Sequence, residues 1–127
     1  MKLKKLGIVR TPNSEPQATV NKTGSLRFNA ASARKYDLEV GNYAEIAVDE
    51  EAKNKSKLYL ILKSRSTSIA RKFSGKDRYP TIAMKSVLNE LDIDYETNHL
   101  TYAIKRQFEH EGEKVLELEL IDKSPRN

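Results

Sequence analysis

Lys57-Leu58-Tyr59-Leu60-Ile61-Leu62-Lys63 and Val115-Leu116-Glu117-Leu118-Glu119-Leu120 are the stretches whose reading decides the fold. In both, leucine returns at every second position. Successive side chains of a β-strand point to opposite faces, so Leu58, Leu60 and Leu62 form one apolar face and Leu116, Leu118 and Leu120 another. The trios stand 58 positions apart. One such strand cannot shield its own apolar face, so each needs an opposing layer. The two trios are therefore expected to share a single core.

Working outward, the same order of elements surrounds each trio. Ala18 to Lys22 and Ser25 to Asn29 read as short strands joined at Gly24, because glycine takes a positive φ at little cost. Ala30 to Leu38 reads as a helix: alanine is the best helix former, and Asn29 or Ser32 is suited to cap its start. Gly41 stands where a left-handed residue is expected to end it. Tyr43 to Val48 alternates as a strand. In the second half, Tyr79 to Ala83 reads as a strand, Met84 to Leu91 as a helix with Val87, Leu88 and Leu91 at helical spacing, and Leu100 to Ile104 as a strand. Leu38 and Ile93 both follow a helix, 55 positions apart, and Ile46 and Tyr102 occupy the next strand, 56 apart. The offset grows only through loops. The expected fold is α+β and mostly β, with two β-α-β-β halves packed about a pseudo-twofold as a small barrel or sandwich.

The chain of 127 residues is read as one domain. An N-terminal segment, 1–16, carries a short strand over Leu3 to Val9 and a proline-broken turn. The first half spans 17–63, a connector 64–78, the second half 79–121, and a frayed tail 122–127. Ile69 and Phe73 are the candidate anchors of the connector.

Hydrophobic residues make up 38% of the chain and aromatic residues 7%, with no tryptophan, which argues against a deep aromatic binding cleft. No cysteine is present, which excludes disulfides, thiolate zinc sites and cysteine nucleophiles. The start of the chain is too short and charged for a signal peptide, and no apolar run approaches the roughly 18 residues of a membrane helix. A cytoplasmic protein without membrane association is expected. His99 and His110 stand alone in polar contexts and are read as solvent-exposed. Glu90, Asp92, Asp94 and Glu96 lack the glycine and distal glutamate of a calcium loop and are read as a solvated helix end. Gly75-Lys76-Asp77 lacks the rest of a phosphate loop. No enzyme chemistry and no cofactor is expected.

The net charge is +5. Residues 1–35 hold eight Lys/Arg against Glu15, residues 37–51 hold six acids and no base, and residues 52–78 hold nine bases against Asp77. Segregated basic blocks attract phosphate. Lys22, Arg27, Arg34, Lys35, Arg65, Arg71, Lys72, Lys76 and Arg78 are accordingly the candidate phosphate contacts of a nucleic-acid-binding protein. Two alternatives remain open. One is a single-stranded DNA or RNA binder that adds stacking on tyrosines. The other is a structural or interaction module whose sheet edge pairs with a partner.

From Val20-Asn21-Lys22-Thr23-Gly24-Ser25-Leu26-Arg27-Phe28, through the helix ending at Leu38, to Glu39-Val40-Gly41 and Tyr43-Ala44-Glu45-Ile46, the chain resembles the AbrB/MazE/SpoVT type of swapped-hairpin DNA-binding domain. The resemblance spans residues 19–62. It implies a strand, a glycine turn, a strand, a short helix, a glycine step and a strand. It also implies DNA facing Lys22 and Arg27, with Arg34 and Lys35 nearby, in a small transcription-regulator-like protein. That family commonly has a proline after its second strand, where this chain has Asn29 and Ala30. It commonly completes its barrel as a dimer. A homodimer fits the resemblance, as does completion by the second half of the same chain in the manner of cradle-loop barrels.

Overall fold

The computed structural model describes Lys2 and residues 15–50, 56–75 and 79–126. The expected N-terminal strand over Leu3 to Val9, and Lys76 and Arg78, lie outside these residues. The first half contributes β1 (Gln17–Val20), β2 (Ser25–Phe28), α1 (Ala30–Tyr36), β3 (Tyr43–Ala47) and β4 (Lys57–Lys63). The second contributes β5 (Arg71–Lys72), β6 (Thr81–Ala83), α2 (Lys85–Glu90), β7 (Asn98–His110) and β8 (Glu113–Pro125). All strand pairs are antiparallel, in the order β5-β3-β4-β8-β7-β1-β2-β6. The two ends of that order meet. Ser74 N donates to Thr81 O and Thr81 N to Ser74 O, each at 2.8 Å. Of the two packings anticipated, the sheet adopts the barrel.

Exchanging the halves, β1 with β5, β2 with β6, β3 with β7 and β4 with β8, returns the same ring order. The pseudo-twofold is visible in individual bonds. Phe28 N donates to Pro80 O and Met84 N to Gly24 O, both at 2.9 Å. Leu38 N bonds to Ala33 O as Ile93 N bonds to Leu88 O. The axis passes between the paired residues Leu26 and Ile82 on one side, and between Tyr59 and Glu117 on the other. Each half gives its first strand to the other: β1 pairs with β7, and β5 with β3.

The inner face is the one that alternation predicts. Leu58, Leu60, Leu116 and Leu118 are fully buried in a single core with Val20, Leu26, Phe28 and Ile82, while Leu62 and Leu120 pack at its margin. Register corrects one correspondence between the halves. Ala44 pairs with Leu62 as Tyr102 pairs with Leu120, so Tyr102 is the counterpart of Ala44, and Ile46 that of Ile104. Small and large side chains at matched positions let one irregular core fill. The Tyr102 hydroxyl has no hydrogen-bond partner among the described residues, and burial pushes its pKa up to about 12.

Local rules account for the helices and turns. Asn29 caps α1: its Oδ1 accepts from Ser32 N at 2.9 Å and also from Gln17 N, tying the helix start to β1. The left-handed residue that ends α1 is Asp37 (φ 53), four positions before Gly41, and Asp92 (φ 57) plays the same part after α2. Aspartate tolerates that conformation better than most residues. Gly24 (φ 86) turns β1 into β2, and a Cβ there would lie 3.0 Å from Lys85 Cβ. The turn is thereby seated against the start of α2.

Three segments differ from the sequence-based expectation. The connector 64–78 contains β5, with Phe73 buried as anchor but Ile69 61% exposed. β7 and β8 extend well past their alternating cores. The tail is ordered: β8 runs to Pro125, and the Arg126 guanidinium donates to Tyr95 O at 3.0 Å and Val20 O at 3.1 Å.

Candidate functional site

The ring divides into two walls, each mapped onto itself by the pseudo-twofold. One is β1-β2-β6-β5 and the other β7-β8-β4-β3. The strands of the first wall and its β1–β2 turn carry no aspartate or glutamate; among the described residues Glu15 precedes β1 and Glu90 ends the helix that follows β6. The wall's exposed cations are Lys22 in the β1–β2 turn, Arg27 on β2, Lys72 on β5 and Lys85 at the start of α2. None of these four has an ion-pair partner among the described residues. Lys22 and Lys85 are brought close by the contact of Gly24 with Lys85.

The strands of the second wall carry six Lys/Arg and six Asp/Glu, and three of the cations, Lys57, Lys63 and Arg106, sit in ion pairs. Lys63 bonds to Glu113 and lies 3.9 Å from Glu45, and the bond to Glu113 holds its ammonium above the usual lysine value. Glu117, almost fully buried, takes Arg106 at 3.2 Å and Lys57 at 4.0 Å.

On the first wall Arg27 lies over an aromatic ring. Its guanidinium carbon lies 4.4 Å from the ring centroid of Tyr79, a cation–π stack. Arg27 crosses from Thr19 on β1 to Thr81 on β6 by register. Beside it opens a cleft of about 460 Å³ lined by Gln17, Thr19, Asn21, Arg27 and Tyr79, with Asn29 at one end. Asn29 is consumed by capping, and Asn21 Oδ1 accepts three bonds within its own turn. The side chains of Gln17, Thr19 and Arg27 make no hydrogen bond to the described protein, so their polar groups face the cleft unengaged.

The nine residues singled out from sequence are thus sorted. Lys22, Arg27, Arg71 and Lys72 fall on the acid-free wall. Arg71 departs from the expectation of a solvated connector: it is half-buried and donates to Ser86 Oγ of α2 at 2.7 Å and to Ile69 O at 3.2 Å, so it braces β5 against α2. Arg34 and Lys35 are exposed in the last turn of α1, where cations favour the helix dipole. The segment that follows them, Tyr36 to Glu39, shares a second cleft with Lys63 and Glu113 of the paired wall. Arg65 is exposed in the loop after β4. Lys76 and Arg78 lie outside the described residues. Sequence reasoning missed Lys85 and the pairing of Arg27 with Tyr79. The absence of any acid over residues 79–89 was the available signal for Lys85. Nothing local could reveal the stack, because 52 positions separate its partners.

Other polar groups have structural duties. Asp94 accepts from Thr97 N at 3.1 Å and from the Thr97 hydroxyl, bonds that hold its carboxyl below the ordinary value. His99 faces Arg126 through Nδ1 at 3.1 Å, and the His110 side chain is exposed beside Glu111. Among the described residues no group of three or more His, Asp or Glu is placed to hold a metal ion, and no helix is long and apolar enough to cross a membrane. In comparisons with known proteins, no family model, no curated protein and no solved structure matches the chain.

Proposed function

We propose that this chain binds nucleic acid, DNA foremost, as a small transcription-regulator-like module in which phosphate contacts supply most of the affinity. The observation that carries the reading is the acid-free wall. Arg27 and Lys72 stand on strands of one wall, with Lys22 and Lys85 beside them, and among the described residues no carboxylate lies on those strands, while the six Lys/Arg of the other wall's strands are matched by six Asp/Glu. Cations without a local acid keep their field for an external anion, and a polyanion gains from several at once by releasing counterions. The reading is one of binding and not of catalysis, with Arg34, Lys35 and Arg65 as peripheral contacts.

The swapped-hairpin relationship belongs to the same proposal. Its support is the order β1, Gly24 turn, β2, α1, Gly41 step, β3, and the exchange of first strands between the halves. Because the ring closes within one chain, a second copy is not needed to complete the sheet. The rival reading, in which a partner adds a strand to a free edge, has less to work with, since β5 and β6 are bonded to each other through Ser74 and Thr81.

The test is binding of random-sequence duplex and single-stranded oligonucleotides, followed by fluorescence anisotropy across a salt series. The expected result is an affinity that falls steeply with salt, with a log–log slope near −0.9 per phosphate contact on duplex or about −0.7 on single strands. Undetectable binding of both at micromolar protein and low salt overturns the proposal in favour of an interaction module.

A further inference from the structure

We infer that the cleft beside Arg27 and Tyr79 is a seat for one unpaired nucleotide, so that the chain engages single-stranded nucleic acid there by stacking. The inference rests on the nucleic-acid reading above and adds a ligand class and a subsite to it. Three features of the cleft support it.

The first is the Arg27–Tyr79 stack, with the guanidinium 4.4 Å from the ring centroid. A guanidinium over an aromatic face keeps its edge donors available, here with no acceptor in the described protein. Tyr79 keeps 37% of its surface exposed despite its size, whereas Tyr36, Tyr95 and Tyr102 are buried. Together the two side chains offer a cationic and aromatic surface of the kind on which a base can stack.

The second is the polar rim. Gln17 and Thr19 point outward from β1 and bring an amide and a hydroxyl to the cleft with no bond to the described protein. An amide presents both a donor and an acceptor, as the edge of an unpaired base requires. In a duplex the Watson–Crick edges are already paired and the ring faces already stacked, so only an unpaired base can offer a face to the Arg27–Tyr79 pair together with its pairing edge to Gln17 and Thr19.

The third is position. The cleft of about 460 Å³ lies between cations rather than apart from them: Lys22 follows Asn21 of its rim, and Arg27 is itself part of the lining. A nucleotide seated there places its phosphates among unneutralised charges.

The test compares Tyr79→Ala and Tyr79→Phe with the unchanged protein on single-stranded and duplex oligonucleotides at fixed salt. Thermal melting verifies that each variant is folded. Tyr79→Ala alters no charge. Loss of one stacked base predicts a single-strand affinity lowered about 5- to 100-fold, with duplex affinity and both salt slopes unchanged, and with Tyr79→Phe close to the unchanged protein. Arg27→Lys, which keeps the charge and loses the planar guanidinium, is expected to follow Tyr79→Ala. If Tyr79→Ala binds single strands as the unchanged protein does, or loses duplex affinity equally, the nucleotide seat is overturned while the phosphate-binding reading stands. If no oligonucleotide binds the unchanged protein at low salt, both fall together.

Discussion

The two walls of the barrel are alike inside and unlike outside. Leu26 and Ile82 flank the pseudo-twofold on one wall, Leu58 and Leu118 lie beside it on the other, and all four are fully buried. Outside, one wall is stitched by Lys63–Glu113, Lys57–Glu117 and Arg106–Glu117, and the other carries cations with no acid beside them. The exposed pair Lys63–Glu113 contributes little, and at the nearly buried Glu117 the ion pairs mainly offset the cost of desolvating its carboxylate, so the stitching is not what holds the barrel together. The difference teaches that packing constrains the inner faces of both walls equally. The outer faces are free to diverge, and only one of them retains its positive field.

The largest expected effects test the likeness. Leu26→Ala on the acid-free wall and Leu58→Ala on the paired wall each delete a fully buried leucine. Each is expected to cost about 2–5 kcal/mol in urea unfolding. A cost below about 1 kcal/mol at Leu26 alone would mean that the acid-free wall packs loosely, and the equality of the inner faces would be broken.

Charge removal tests the unlikeness. Lys22→Gln with Lys72→Gln removes two unpartnered cations. It is expected to weaken oligonucleotide binding by about tenfold or more and to make the salt slope shallower by about 1.8 on duplex DNA. Lys57→Gln with Lys63→Gln removes the same charge from the paired wall and is expected to leave affinity within about twofold. Equal losses from the two pairs of substitutions would show that net charge, not the wall, directs binding. Arg71 is unsuited to this comparison, because its bond to Ser86 gives it a structural part as well.

The smallest expected effect concerns a place where the inner faces differ, Tyr102 standing where the repeat has Ala44. The Tyr102 hydroxyl is buried without a partner among the described residues, so Tyr102→Phe removes an uncompensated polar group and is expected to stabilise by about 1 kcal/mol. The phenol titrates at about 12 in the folded chain against 10.0 when free. Its neutral form is therefore favoured by folding. The stability tied to it is intact below pH 10.0 and lost as pH rises toward about 12. At most about 3 kcal/mol is at stake, from 1.36 kcal/mol per pKa unit. Unfolding curves of the two proteins should diverge further over that window. Parallel curves would mean that the hydroxyl finds a partner in solution.

Much of the fold was legible because its signals are local. Alternation in 57–63 and 115–120 named the inner faces, and Gly24, Asn29 and the alanine run fixed the β1–β2 turn and α1. Illegible were elements that exist only through partners. Arg71-Lys72 has no apolar alternation and reads as a connector, yet it is a strand because β3 offers it a ladder. Lys105, Arg106 and Gln107 break the alternation of β7, and the strand continues because β8 pairs with it along its whole length. From sequence, helix α1 is expected to run to Leu38 with Gly41 just past its end; Gly41 has the expected positive φ of 102, but Asp37, four positions earlier, is the left-handed residue that ends the helix. The candidate site divided in the same way. Charge segregation pointed to the basic blocks, but helix α1 carried Arg34 and Lys35 away from the group, while the fold added Lys85 to it.

By itself the sequence determined which residues turn inward and that the chain repeats one unit, because side-chain periodicity and turn chemistry act between near neighbours along the backbone. Only the tertiary structure decided how the units exchange their first strands, that Ala44 answers Tyr102, and that Arg27 lies over Tyr79. Those outcomes depend on cross-strand register and on the closing of the ring, which bring together residues far apart in the chain.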